Sequence, residues 1–87
     1  MDLTEFENNV VLQWAEKRRK FEEAAKHTQL DKTREEVNEL EESIFNNDKN
    51  TAKDAIGDII VTLVIQAKMW DLSLMECCEA AWNEIKD

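Results

Sequence analysis

No proline interrupts this chain, and its one glycine is Gly57. Sheet proteins turn often, and turns draw heavily on those two residues. Their near absence excludes a turn-rich β protein and favours long helices. At 87 residues the chain is one small domain, residues 1–87. A domain this size buries a thin core and commonly leans on a metal, disulfides or association with another chain.

Caps and periodicity predict four helices. The first is expected from Thr4 to Ala25, opened by the T-x-x-E pair Thr4 and Glu7. Leu3, Phe6, Val10, Trp14 and Phe21 form its apolar stripe. The second starts near Thr28 and steps through Leu30, Thr33, Val37, Leu40 and Ile44 as a packed seam. His27 then reads as a loop residue. Asn46 to Asn50 is the clearest loop. The third helix runs from Thr51 to near Trp70. The fourth opens at Ser73, with Glu76 completing a capping box, and turns Leu74, Cys78, Ala81 and Ile85 inward.

The stretch Ile59 to Ile65 is rich in β-branched residues and has the composition of a buried strand. The apolar pattern, however, continues from Ile56 to Trp70 without a turn residue, so a helix is predicted. Such a helix is apolar on nearly all sides and must be covered on all sides. Three short partners are too few, so a dimer or higher oligomer formed through this third helix is expected. Gly57 lies inside it. Either a neighbouring helix packs closely there, or the missing side chain leaves room beside Asp58.

Acidic residues recur at helical spacing. Glu36 and Glu39 are three apart, and Asp54 and Asp58 are four apart, so each pair shares a helix face. Like charges on two facing helices repel each other, and a divalent cation relieves that. Mg²⁺ in particular prefers carboxylate oxygens. The pattern points to metal-dependent chemistry on a phosphate substrate. The net charge of −9 opposes binding to a nucleic-acid backbone, because nothing here replaces condensed counterions. It does not oppose a nucleotide held through bridging metal. Cys77 and Cys78 are adjacent and unsuited to pair in a helix, which fits a reducing, cytoplasmic compartment. The polar N-terminus reads as no signal peptide, and the longest apolar run is too short to span a membrane. One histidine, His27, excludes a histidine-based zinc site or a Ser-His-Asp triad.

The stretch EEVNEL followed by DAIGDIIV resembles the signature of the MazG-like all-α nucleoside triphosphate pyrophosphohydrolases, in particular the short members found in phages. That signature is E-E-x-x-E, a spacer, then E-x-x-D, commonly with glycine before the aspartate. QWAEKR, QLDKTREEVNEL and ECCEAAWNEIKD agree as well, so the resemblance covers nearly the whole chain. It implies a four-helix MazG-like bundle that assembles as dimers or tetramers. It also implies Mg²⁺-dependent release of nucleoside monophosphate and pyrophosphate from a nucleoside triphosphate. By position, Glu36, Glu39 and Asp58 fall on metal ligands, and Glu35 on the first glutamate of the motif. Where the family has its second glutamate, this chain has Ala55, and Asp54 offers the nearest carboxylate. Glu35 or Glu39 is the expected base for an attacking water. Lys32 is expected on phosphate, or paired with Glu36; Asn83 on substrate; and Trp14 on a base, or in the core. The basic run Lys17 to Lys20 reads as a solvated face, or else as a contact to triphosphate or an acidic partner. Relatives usually continue past Asp87 with a basic tail, so part of the phosphate grip is expected to be missing.

Three alternatives stay open. One is a nucleotide-binding regulator without turnover, motivated by Ala55. Another is an acidic helical interaction protein, motivated by the charge. The third, within enzymes, is an activity on phosphoribosyl-ATP, which shares the helical carboxylate scheme.

Overall fold

The computed structural model describes residues 1–17 and 26–86. Arg18, Arg19, Lys20, Phe21, Ala25 and Asp87 lie outside the described residues, as does the Lys17 side chain. The expectations for the basic run, for Phe21 and for the end of the first helix fall there. Every described element is helical. Helix α1 has three consecutive pieces: Leu3–Glu5, a π-helical Phe6–Val11 and Leu12–Lys17. Helix α2 is Lys26–Phe45, α3 is Lys49–Met69 and α4 is Leu74–Ile85. The apolar run Ile59 to Ile65 is thus helical, as predicted.

The ends have local causes. Asp2, not Thr4, caps α1: its carboxylate accepts from Glu5 N at 2.8 Å. Helix α2 already includes His27, which is exposed there and not in a loop. Asn47 turns the chain after α2 with φ of 51°, a left-handed conformation asparagine tolerates. Asp48 then caps α3, accepting from Thr51 N at 3.1 Å and from Thr51 Oγ1 at 2.7 Å. Those hydrogen bonds hold the Asp48 carboxyl below its ordinary range. They also start α3 at Lys49, two residues ahead of the expected Thr51. Asp71, with φ of 58°, ends α3, and Leu72 N donates back to Ala67 O at 2.9 Å. The Ser73–Glu76 capping box forms in both directions, each bond 3.1 Å.

Helices α2 and α3 form an antiparallel hairpin, the most extensive contact in the molecule. Its seam is more polar than expected. Gln29 is buried and donates from Nε2 to Thr62 O at 3.1 Å. Thr33 Oγ1 donates to Thr62 Oγ1 at 2.9 Å, and Thr62 Oγ1 donates to Ile59 O at 2.7 Å. Ser43 closes the far end, buried and bonded to Leu40 O. The residues facing α3 are therefore Gln29, Thr33, Glu36, Leu40 and Ser43. Of the expected seam, Leu30, Val37 and Ile44 are exposed.

Helix α1 packs across the hairpin. Val11 and Ala15 join Val64 and Ile65 as the buried core, flanked by Phe6, Leu12, Ile60, Val61, Met69 and Leu74. The wider π-helical turn sets Glu7, Val11 and Ala15 inward, one position along from the expected stripe. Val10 and Trp14 are left partly exposed. Helix α4 has its half-buried residues near its start only. Leu74 is half-buried, whereas Cys78, Ala81 and Ile85 are exposed and not inward.

Glu7 is 4% exposed, and its Oε2 accepts from Leu74 N at 2.5 Å. A carboxylate from the first helix thereby satisfies an orphan N–H at the start of the last, where the helix dipole favours negative charge. Glu7→Ala is expected to destabilise the fold by ~1–3 kcal/mol, because a buried donor loses its partner. Glu7→Gln is expected to lose less. Chemical denaturation measures both, and an Ala variant as stable as wild type would refute the role of this cap.

Candidate metal centre

The seam hydrogen bonds fix which residues meet. Thr33 lies opposite Thr62. In an antiparallel pair, one turn onward along α2 is one turn back along α3, so Glu36 comes level with Asp58. Glu39 follows one turn later on α2. One oxygen from each of Glu36, Glu39 and Asp58 lies within 4.8 Å of the other two. Glu36 and Asp58 are half-buried and Glu39 is exposed.

This arrangement is electrostatically unfavourable without a counter-charge. The Glu36 carboxyl is pushed up from 4.5 to about 7. Burial is the largest cause. Next come a shared hydrogen bond with Glu39 and the negative charges of Glu39, Asp58 and Asp54. Glu36 Oε2 is shut off from solvent and has no hydrogen-bond partner. A buried acceptor left unsatisfied is costly, and a cation among three carboxylates would satisfy it. The donor set is all carboxylate oxygen, which suits Mg²⁺ better than a softer metal.

Asp54 stands outside this triad. Its charge acts on Glu36, but it lines a separate cavity. Ala55 is 1% exposed, so the position where the family pattern has glutamate points into packed structure. A glutamate there would have to displace neighbours in a close-packed interior.

Two open cavities flank Asp58, which lines both, as does Val61. One, of about 270 Å³, adds Trp14, Gln29, Lys32, Glu35 and Glu36. The other, of about 430 Å³, adds Phe6, Asn50, Lys53, Asp54 and Gly57. The structure therefore brings Trp14, Lys32 and Glu35 together beside the carboxylates. Among the described residues Lys32 makes no ion pair with Glu36; the one ion pair there is Arg34–Asp31. Asn83 is exposed on α4 and lines neither cavity. Gln29, Asn50 and Lys53 were missed from sequence. Asn50, Asp54, Gly57 and Val61 step by three and four along α3, which was the available signal.

Gly57 takes an ordinary helical conformation, and a Cβ built there meets nothing within 4 Å. Close helix packing, one of its two expected explanations, is not found among the described residues. A glycine in a helix interior costs about 1 kcal/mol relative to alanine.

No family model matches the chain, and no solved structure matches it. It is 39% identical over 67 residues to an uncharacterised 18.2 kDa protein from the rep-hol intergenic region of Haemophilus phage HP1 (strain HP1c1). The match covers 77% of this chain and 40% of that protein, so the chain spans well under half its relative's length. Among the described residues no helix is long and apolar enough to cross a membrane.

The raised Glu36 carboxyl has a sign in stability. The folded, metal-free protein holds a proton at Glu36 that an unfolded chain has already released. This contribution is full below pH 4.5 and is lost as pH rises through about 7. The melting temperature in EDTA is expected to fall across that window, and Glu36→Gln to flatten the fall. Thermal melts at stepped pH measure this. An equal slope in wild type and variant would assign the titration to another group.

Proposed function

We propose that this protein is a Mg²⁺-dependent nucleoside triphosphate pyrophosphohydrolase of the MazG-like type. The observation that carries the reading is the triad Glu36, Glu39 and Asp58, with its orphaned oxygen, between two cavities that each contain a lysine. Glu36, Glu39 and Asp58 would hold the cation, with Asp54 near enough to bind through water. When bound, Mg²⁺ would offset the charge that develops on phosphate oxygens. Glu35 lines the cavity but is not in the triad, so its carboxylate is the one left to take a proton from water. That water attacks the α-phosphorus; the bond between it and the bridging oxygen breaks, and pyrophosphate leaves with the electron pair. Lys32 would meet phosphate oxygens, and Trp14 would give the base a face to stack on.

A panel of nucleoside triphosphates with Mg²⁺, assayed for pyrophosphate against phosphate, tests this. Pyrophosphate release is expected from wild type, and Asp58→Asn is expected to lower it by at least 100-fold, an estimate on the order of one lost metal ligand. Asp54→Asn is expected to lower it less. Release of phosphate alone, or none, would reject the hydrolase. The regulator reading is favoured by one feature, the buried Ala55. It requires Mg²⁺ and nucleotide to bind without turnover. An acidic interaction protein would do neither.

Assembly belongs to the same proposal, through an exposed row on the third helix, as expected there, together with a row on α2. Within Ile59 to Ile65 only Leu63 is exposed, because α1 and α2 cover the rest. Six exposed apolar residues instead repeat every seventh position: Leu30, Val37 and Ile44 on α2, and Ile56 and Leu63 on α3 with Trp70 at its C-cap. Each row leads its helix's seam residues by about a quarter turn. Equal lead in an antiparallel pair brings both rows to one side of the hairpin. Lys32, Glu39, Asp54 and Val61 lag by a similar angle and fall on the other. The apolar side fits a second copy of the same hairpin, closing a four-helix bundle. Light scattering is expected to give a dimer or tetramer for wild type, and a smaller species for Leu63→Glu. A 10.2 kDa monomer at micromolar concentration would overturn this.

A further inference from the structure

The groove at Gly57 is the feature that the triad does not absorb. Neither backbone conformation nor packing among the described residues accounts for a glycine there. The open face it leaves on the helix is room for a bound group to approach. The groove around it has a distinct chemistry. Lys53 lines it and makes no ion pair among the described residues. Asn50 supplies an amide, and Asp54 and Asp58 border the opening. Lys53 and Gly57 are four apart and share a face, with Asn50 a turn before. Across Asp58 lies the other cavity, with Trp14 as the aromatic side chain of its lining.

Resting on the function proposed above, we infer that the Gly57 groove is a diphosphate subsite, with Lys53 its cation and Asn50 a donor. The substrate then lies across Asp58 with a fixed direction. Its nucleoside faces Trp14, and the two phosphates that depart face Lys53. Glycine at position 57 lets phosphate oxygens come up to the helix where a methyl group would stand in their way. The acidic border is consistent with this, because Mg²⁺ held by the carboxylates would offset their charge toward phosphate.

Titration calorimetry with inorganic pyrophosphate and Mg²⁺ tests the subsite without turnover. Wild type is expected to bind. Gly57→Ala is expected to melt higher than wild type without ligand, since alanine favours the helix and meets no neighbour. The same variant is expected to bind pyrophosphate at least tenfold more weakly. Lys53→Ala is expected to lose a similar factor, Lys53→Arg to recover most of it, and Lys86→Ala, a charge control at the end of α4, to change nothing. Nucleoside monophosphate affinity is expected to stay within threefold in both Gly57→Ala and Lys53→Ala. Pyrophosphate affinity unchanged in both variants overturns the subsite. So does a wild type that binds none, or a Gly57→Ala protein altered in oligomeric state and not in pyrophosphate affinity. Triphosphate hydrolysis indifferent to Lys53 and Gly57 would reject the subsite and leave the hydrolase standing. Pyrophosphate binding that depends on both residues, in a protein that hydrolyses no triphosphate, would do the reverse.

Discussion

The register of α2 against α3 is the constraint on which the rest depends. It is set by a short polar ladder, Gln29 to the Thr62 carbonyl and Thr33 to the Thr62 hydroxyl. Apolar side chains slide past one another at little cost, whereas a buried donor without its acceptor is expensive. The ladder therefore fixes the hairpin to one alignment. That alignment brings Glu36 level with Asp58, one turn from Glu39.

Holding them together leaves the metal-free protein with a strained electrostatic arrangement. Glu36 responds by keeping its proton up to about 7, and one of its oxygens stays unpaired. On the proposed function, that strain is what makes cation binding favourable: the ligands are already gathered, so little ordering remains to be done. Glu7 contributes from a distance. Its bond to Leu74 N ties α1 to the start of α4. Helix α1 is the element that carries Trp14 and Phe6 to the rims of the two cavities.

The hairpin divides its two sides by chemistry. Lys32, Glu39 and Asp54 lag the seam on one side, and the apolar rows Leu30, Val37, Ile44 and Ile56, Leu63 lead it on the other. Among the described residues, α1 covers the first side and the second is left bare. On α4 every residue from Cys78 to Ile85 is exposed. The exposed apolar surface and the acidic centre are therefore separate features. Association through one need not block entry to the other.

The helices themselves were legible in the sequence. Missing prolines, a single glycine, the Ser73–Glu76 box and the spacing of Glu36 with Glu39 and of Asp54 with Asp58 are local properties, and local backbone preference decides them. The seam was not legible. Leu30, Val37 and Ile44 have the period of a core stripe, yet Gln29 and Thr33 are the residues turned to α3. Hydrophobic period marks an apolar face but does not say whether the same chain or another covers it. The inward face of α1 was missed for a related reason: a π-helical turn inserts a residue and shifts every later position, which no 3.6-residue pattern anticipates. Ala55 and Gly57 needed tertiary structure as well. Only the packed hairpin reveals that the first is walled in and the second stands open, because free space around a side chain is a property of its neighbours and not of its own residue type. The sequence by itself determined which residues are helical and which acids share a face. The tertiary structure decided which of those faces meet, because that choice rests on contacts between residues far apart in the chain.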